Sequence, residues 1–259
     1  MTAPMNLSAT QVGSGPPVVA LHGLLGRARN LAGIGRALEA SHAVWLVDLR
    51  NHGASPWSDE MTYAAMAGDV AALIERERLG PVTMIGHSMG GKVAMTLALT
   101  RPELVARLVV VDIAPVRYAQ GYEGFIRAMQ ACDLAPPKRR GDVDAQLAAA
   151  VPDPAMRAFL MQNLETRDGA LSWQPNLAGL LAAMPELTGF PQALAGRRYL
   201  GPTRALRGAR SDYVDEAGAA ALRGYFPTAT VATVPDAGHW PHAEQPAVFQ
   251  QLLAEALAA

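Results

Sequence analysis

A serine between two glycines is the feature of this sequence with the clearest chemical potential. Residues 85–92 read IGHSMGGK, so Ser88 stands two positions after Gly86 and two before Gly90. The apolar run before the serine predicts a strand, and the stretch after it predicts a helix. A G-x-S-x-G turn in that context strains the serine backbone and exposes its hydroxyl. We therefore interpret Ser88 as a nucleophile; the alternative is a glycine-rich turn with an incidental serine.

A serine hydroxyl needs a general base before it can attack a carbonyl. Six histidines occur, and His239 directly follows the last predicted strand. Gly238 before it permits a close turn, which would swing the imidazole over the sheet edge that carries Ser88. His242 is the rival, but it precedes the final predicted helix and is expected to face that helix or solvent. We predict His239 as the base.

A glycine-rich loop follows the first strong apolar run, where residues 22–26 read HGLLG. Its glycines free the backbone so that an N–H can face the reaction centre. We predict that the amide of Leu24, with the amide of Met89 after the nucleophile, forms an oxyanion hole. His22 is expected to be a structural, hydrogen-bonded residue and not a second base.

The elements that must position these residues alternate along the chain. Nearly continuous apolar runs of four or five residues fit strands buried on both faces of a parallel sheet. Stretches of helical period separate them, which predicts an α/β fold with a mostly parallel twisted sheet and helices on both faces. The six predicted strands cover residues 18–21, 44–47, 82–85, 108–111, 203–206 and 230–234, and the clearest helices about 62–78, 89–100 and 244–257.

Residues 115–200 break this alternation. They show no strong strand signal, and prolines interrupt their helical patterns. We predict a helical cap insertion at 115–200 above a core formed by residues 1–114 and 201–259. Four methionines of the insertion could line a binding cavity, although ordinary core packing is the simpler interpretation. They are Met129, Met156, Met161 and Met184.

Other polar residues near the motifs are expected to have supporting roles. Lys92 lies one turn into the helix after the serine, and we expect it at the surface or anchoring a loop. Four residues after the second predicted strand are expected to hold their loop rather than take part directly in catalysis. They are Asp48, Arg50, Asn51 and His52.

Composition and charge exclude several classes of function. The net charge is -1 and no basic stripe occurs, which argues against a nucleic-acid partner. No apolar run approaches the roughly 20 residues that span a bilayer. The single cysteine, Cys132, excludes an internal disulfide and a multi-cysteine metal site. We see no secretory signal and expect a cytoplasmic protein.

Taken together, the motifs resemble those of the α/β-hydrolase superfamily. The matching segments, in chain order, are HGLLG, DLRNHGAS, GHSMGG, VVVDIAP and GHWPHAEQP. DLRNHGAS and VVVDIAP look most similar to the small bacterial intracellular esterases of the superfamily, which act on short-acyl esters and thioesters. The resemblance implies an α/β-hydrolase fold and a serine hydrolase for small-molecule esters or thioesters with short to medium acyl groups. Its Ser-His-Asp triad requires no metal or organic cofactor.

The resemblance leaves the triad acid open. In many relatives it lies in the loop after the penultimate strand, where Ser211 holds the expected position here and Asp212 is displaced by one. In the esterases that this sequence looks most like, the acid comes from the strand end that carries Asp112. We favour Asp112, which could otherwise cap the chain entering the insertion. Asp212 is the alternative, and it could also be an ordinary loop carboxylate.

The same triad serves several other reactions in this superfamily. Cofactor-free haloperoxidases, C–C bond hydrolases, lactonases and decarboxylating lyases share it. A haloalkane dehalogenase is disfavoured, because it would carry aspartate in place of Ser88. A different class of function is a slow-turnover, hydrolase-like receptor that binds a ligand. The sequence favours ester or thioester hydrolysis over these alternatives.

Overall fold

A central seven-stranded sheet organises the computed structural model, which describes residues 3–119 and 121–258. Two further strands form a separate hairpin. In chain order the strands are β1 (Ala9–Val12), β2 (Pro17–Leu21), β3 (Ala43–Val47), β4 (Val82–His87), β5 (Val105–Val111), β6 (Leu164–Arg167), β7 (Ala170–Trp173), β8 (Thr203–Gly208) and β9 (Thr230–Val234).

The strand order of the sheet is β1-β3-β2-β4-β5-β8-β9. All pairs are parallel except that of β1 with β3, where Ala9 lies opposite Val47. All six predicted strands are present, and the mostly parallel sheet is confirmed. The antiparallel edge strand β1 was not predicted, because it is short and only half-buried.

The sheet is buried on both faces, as its continuous apolar strands predict. Along β2, Val19 and Leu21 pack into one hydrophobic cluster, whereas Val18 and Ala20 pack into the other. Side chains that alternate between faces therefore both find a core, which is typical of a parallel sheet covered by helices on each side.

Helices cover both faces of the sheet, and four of them lie in the 115–200 segment. The predicted final helix at about 244–257 is present at Pro246–Ala258, and an unpredicted short helix, Pro241–Glu244, precedes it. The helices are α1 (Ala32–Leu38), α2 (Tyr63–Arg76), α3 (Met89–Thr100), α4 (Glu123–Gln130), α5 (Arg140–Ala148), α6 (Pro154–Met161), α7 (Leu177–Leu187), α8 (Glu216–Tyr225), α9 (Pro241–Glu244) and α10 (Pro246–Ala258). Single 3-10 turns cover Ala28–Leu31, Pro102–Leu104 and Gln192–Leu194.

The 115–200 segment is not wholly helical, which corrects the expectation from sequence. It contains α4 to α7 and also the β6–β7 hairpin. The hairpin turn is Asp168-Gly169, and both residues have positive φ angles. An Asp-Gly pair favours a two-residue hairpin turn of this kind, so the sequence carried a signal for it.

The methionines of this segment serve mainly as core residues. Met129, Met161 and Met184 are buried, and Met156 is partly buried against the same hydrophobic cluster. Met184 also lines a small cavity beside Ser88. Ordinary core packing therefore describes Met129, Met156 and Met161, whereas Met184 both packs in the core and lines a cavity.

Candidate active site

Ser88 stands at the sharp turn between β4 and α3. Its backbone angles, φ 53° and ψ -121°, lie in a region that L-residues rarely adopt. The neighbouring glycines make this turn possible. A Cβ added to Gly86 would lie 2.3 Å from the carbonyl oxygen of Gly90, and a Cβ on Gly90 would meet the Leu21 and His22 carbonyls at 2.5 Å. Only glycine fits at either position.

Three side chains form one hydrogen-bonded chain at the carboxyl edge of the sheet. The hydroxyl of Ser88 lies 3.0 Å from Nε2 of His239, and Nδ1 of His239 lies 2.8 Å from Oδ2 of Asp112. Ser88 follows β4, Asp112 follows β5, and His239 follows β9. The structure thus brings together the nucleophile, base and acid that the sequence favours.

The second candidate acid lies outside this chain of hydrogen bonds. Asp212 is exposed, and among the described residues it has no hydrogen bond to His239. Its neighbour Ser211 instead donates its hydroxyl to Oδ2 of Asp112, and the amide of Gly208 donates to Oδ1 at 2.9 Å. The serine at the position usually given to the acid therefore supports a carboxylate that comes from another strand. Sequence reasoning noted Ser211 but missed this role.

Further contacts hold the His239 imidazole in place. The ring of Tyr213 stacks on it with centroids 3.9 Å apart. Nε2 of His87 donates to the backbone carbonyl of His239 at 2.7 Å. Burial lowers the pKa of His87 well below its usual value, so this ring is neutral and has a single N–H to donate. Neither support was predicted, because both depend on residues distant in sequence.

The HGLLG loop packs directly against the nucleophile. A Cβ on Gly23 would lie 3.0 Å from Nδ1 of His87 and 3.1 Å from Cβ of Ser88, so glycine allows this approach without displacing either side chain. The Leu25 amide donates to Nε2 of His52 at 3.1 Å, and the Asn163 side chain donates to the Leu25 carbonyl at 2.8 Å. These bonds fix the loop immediately after Leu24.

The amides of Leu24 and Met89 are available to a bound oxyanion. Among the described residues, neither N–H donates to a protein acceptor. Both residues line the same small cavity beside Ser88. Met89 is also the first residue of α3, where the helix dipole favours negative charge. The arrangement fits the predicted oxyanion hole.

Two neutral histidines, His22 and His52, hold the HGLLG loop in place through hydrogen bonds. Nδ1 of His22 donates to the Gly23 carbonyl at 2.8 Å, while its Nε2 accepts from the Leu49 amide at 3.0 Å. Burial lowers the pKa of His22 to about 4 and that of His52 to about 3. Each ring therefore donates through one nitrogen and accepts through the other. His22 has the structural role expected of it.

The loop after β3 is held by its own polar residues, as the sequence predicts. The Asp48 carboxylate accepts hydrogen bonds from the backbone amides of Ala28 and Ala54, at 2.6 and 2.9 Å. Arg50 forms a buried, two-pronged ion pair with Asp69, with nitrogen–oxygen distances of 2.7 and 2.8 Å. These bonds keep His52 beneath the HGLLG loop.

The fold and this geometry agree with the comparisons with known proteins. A sequence model described as the alpha/beta hydrolase fold matches residues 16–246. The chain belongs to the α/β hydrolase fold family.

Similar members of the family are named as lipases and esterases. An sn-1-specific diacylglycerol lipase of mouse is 40% identical over 252 residues, covering 94% of this chain and 81% of that protein. The esterase YbfF of Escherichia coli is 33% identical, covering 89% and 88% of the two chains. A solved marine microorganism esterase superposes with a TM-score of 0.93 at 34% identity, covering 97% of this chain and 99% of that one.

Two cavities open on either side of Ser88 in this α/β hydrolase. The larger has a volume of about 390 Å³ and is lined by His239, Trp240 and Phe159 among others. The smaller has a volume of about 40 Å³ and lies between Met89, Tyr63 and the 115–200 segment. His242, the rival base, does not reach Ser88; its ring packs 4.8 Å from that of His87 and 5.9 Å from that of Phe249, measured between centroids.

Lys92 is a buried anchor, so the surface location considered from sequence is wrong. Its side chain is 1% exposed, and Nζ donates to the carbonyls of Val116, Thr188 and Gly189 at 2.9, 3.1 and 2.5 Å. Burial lowers the pKa of Lys92 to about 7. Because its acceptors stand near both ends of the 115–200 segment, Lys92 ties that segment to the helix that begins after Ser88.

The described residues show two further negative features. No three His, Cys, Asp or Glu side chains among them converge to hold a metal ion. No helix within 3–119 or 121–258 is both long and apolar enough to cross a membrane.

Proposed function

We propose that this α/β hydrolase cleaves small-molecule carboxylic esters or thioesters through Ser88, His239 and Asp112. The observation that carries the proposal is the hydrogen-bonded chain of these three side chains, which ends on a serine held in a strained turn. The esterase and lipase names of the similar proteins support an ester as the substrate. Cytoplasmic location stays a prediction from the sequence.

Attack on the carbonyl begins at the serine hydroxyl. His239 accepts the proton through Nε2, 3.0 Å from the Ser88 oxygen, while that oxygen forms a bond to the carbonyl carbon. Asp112 orients the imidazole through Nδ1 and stabilises its positive charge without taking the proton. The carbonyl oxygen becomes an oxyanion that accepts from the amides of Leu24 and Met89.

Collapse of the oxyanion releases the first product. The bond from carbonyl carbon to the leaving oxygen or sulfur breaks, and His239 donates its proton to the leaving alkoxide or thiolate. A water molecule then attacks the acyl group on Ser88, with His239 again accepting the proton. The carboxylic acid leaves, and the proton returns to the serine oxygen.

Replacing the nucleophile tests this function directly. Ser88→Ala should lower kcat for p-nitrophenyl butanoate by about 10⁴-fold or more, because no other group can form the acyl-enzyme. A fluorophosphonate reagent should add one label to the wild-type chain and none to this variant. The exposed Ser14→Ala is the matched control and should retain full activity. Wild-type turnover by Ser88→Ala would contradict the proposal.

A further inference from the structure

The two cavities beside Ser88 differ greatly in size. Their volumes are about 390 Å³ and about 40 Å³. Ser88, Leu24 and Tyr122 line both, so the nucleophile stands where they meet. An ester bound for attack must therefore place its acyl chain in one cavity and its leaving group in the other.

The position of the base decides which half of the ester enters which cavity. His239 lines only the larger cavity, and Met89 lines only the smaller one. The leaving oxygen or sulfur must accept a proton from His239, so the leaving group extends into the larger cavity. The acyl chain then extends to the other side, past the amide of Met89.

The smaller cavity is narrowed by packed side chains. Ile113, Met184 and Leu187 form apolar walls, and the Tyr63 hydroxyl is occupied by a 2.7 Å hydrogen bond to the Leu187 carbonyl. At about 40 Å³ this cavity has roughly a tenth of the volume of the larger one, so it holds only a small group. That volume suits acyl groups from acetyl to butanoyl.

The lysine that lines the smaller cavity is already engaged by the protein. Lys92 lines the smaller cavity, but its Nζ already lies within hydrogen-bond distance of three backbone carbonyls, those of Val116, Thr188 and Gly189. A second carboxylate on the acyl chain would therefore compete with these carbonyls for Lys92, which costs free energy. Uncharged acyl groups are favoured.

The larger cavity has the opposite character. Its volume falls within the range of ordinary small-molecule sites. Apolar side chains make up much of its wall, and they come from the loops of the sheet as well as from α6. They include Leu31, Ala155, Ala158, Phe159, Trp240 and Ala243.

We propose that this enzyme is selective for esters that join a short, uncharged acyl group, of up to about four carbons, to a bulky apolar alcohol or thiol. The inference rests on the proposed ester hydrolysis; the short acyl group is already implied by the resemblance, and the inference adds the bulky apolar leaving group and the cavity that each half of the ester occupies. The smaller cavity sets the limit on acyl length, and the larger one gains affinity from the leaving group.

Two series of esters test the preference, with acid release followed at constant pH. In the first, the acyl group of 2-naphthyl esters grows from acetyl to octanoyl; we expect kcat/KM to fall at least about tenfold beyond butanoyl, because overfilling a packed wall is unfavourable. In the second, the alcohol of acetate esters grows from methyl to octyl. Here kcat/KM should rise, with an upper limit of about fourfold per buried methylene.

Substitutions in the two cavities test which residues set the preference for the acyl group and which set the preference for the alcohol. Met184→Ala should raise the ratio of octanoyl to butanoyl activity by about tenfold and leave the alcohol series unchanged. Ala158→Trp should weaken the large alcohols and lower kcat/KM for all the 2-naphthyl esters alike, so that the dependence on acyl length is unchanged; Ala158 is exposed to the cavity, so the core is not disturbed. Met161→Ala is the control for destabilisation, because Met161 is buried in the same segment but lines neither cavity. Leu187→Ala replaces Met184→Ala if that variant does not fold.

The outcomes separate this inference from the function on which it rests. Hydrolysis that favours octanoyl over butanoyl esters, or an acyl profile that shifts in Ala158→Trp and not in Met184→Ala, would overturn the assignment of the cavities while ester hydrolysis stands. Absence of hydrolysis for every ester in both series would overturn the proposed function itself.

Discussion

The loops at the carboxyl edge of the sheet and the 115–200 segment above them contribute to the site in different ways. Ser88, Asp112 and His239 all follow parallel strands of the sheet. The 115–200 segment supplies walls instead, such as Tyr122 and Phe159. The groups that we propose to react are thus set by the rigid sheet, whereas the shape around them is set by the packing of short helices.

The two regions also differ in how firmly they are held. The strand ends carry buried polar groups with several hydrogen bonds each; Asp112 is 1% exposed and accepts three. Helix α4 buries only Ile126 and Met129 and leaves its other face less buried. A change in the first region should therefore affect the chemical step, and a change in the second should affect which substrate fits.

The largest expected effect comes from the acid of the first region. Asp112→Asn should lower kcat by about 10⁴-fold, because an amide favours the wrong imidazole tautomer and cannot balance its positive charge. Asp212→Asn, one of the alternatives left by the sequence, should stay close to wild type. Steady-state kinetics with one short-acyl ester compares them, and a loss confined to Asp212→Asn would reverse the assignment.

A smaller effect, on stability, is expected from Lys92, which joins the 115–200 segment to the helix after Ser88. Lys92→Met should lower the free energy of unfolding by about 2 kcal/mol, because three backbone carbonyls lose their donor while the removal of a buried charge offsets part of that loss. Urea unfolding followed by fluorescence measures the change. Lys138, the only other lysine, provides the matched control; Lys138→Met should stay within about 0.5 kcal/mol of wild type. Equal stability of both variants would show that Lys92 does not join the regions energetically.

Acid should destabilise the first region through its buried histidines. Burial lowers the pKa of His22, His52 and His242 to between about 3 and about 4 from the usual 6.5. Below pH 6.5 the unfolded chain binds these protons and the folded protein does not, so stability present above that pH is lost as pH falls. Each such histidine contributes a slope of about 1.4 kcal/mol per pH unit.

Urea unfolding between pH 7 and pH 5 measures that slope. His242→Phe should reduce the slope by the contribution of about one bound proton. The ring of His242 lies among aromatic neighbours, and among the described residues its Nδ1 has no hydrogen-bond partner, so nothing there stabilises the charged ring. All of these histidines lie outside the 115–200 segment. A stability that does not change over this range would mean that the folded and unfolded states bind the same number of protons, so that burial does not lower the pKa of these histidines.

The same contrast explains how much could be predicted from sequence. The six parallel strands, the Ser88 turn and the His239 loop leave strong local signals, namely continuous apolar runs and obligatory glycines. The choice between Asp112 and Asp212 has no local signal, because it depends on which strand end meets the imidazole in three dimensions. The same is true of Ser211, whose partner Asp112 lies 99 positions away.

Within the 115–200 segment the local signals are weaker. Prolines and short helices obscure the pattern there, and the β6–β7 hairpin was missed although Asp168-Gly169 marks its turn. The cavity walls have no motif at all, since any apolar side chain of suitable size serves. The boundaries of the cap as a unit, residues 115 and 200, stay a prediction.

The smallest expected effect lies in the wall of the larger cavity. Phe159 is half-buried, with its ring centroid 5.6 Å from that of Trp240. Phe159→Ala should raise KM for a 2-naphthyl ester about fivefold and leave kcat unchanged, because the ring binds the leaving group equally in the ground and transition states. Met156→Ala, on the same helix but away from both cavities, should change neither constant. A fall in kcat with unchanged KM would place Phe159 in the chemical step, and the division between reacting loops and selective walls would then be wrong.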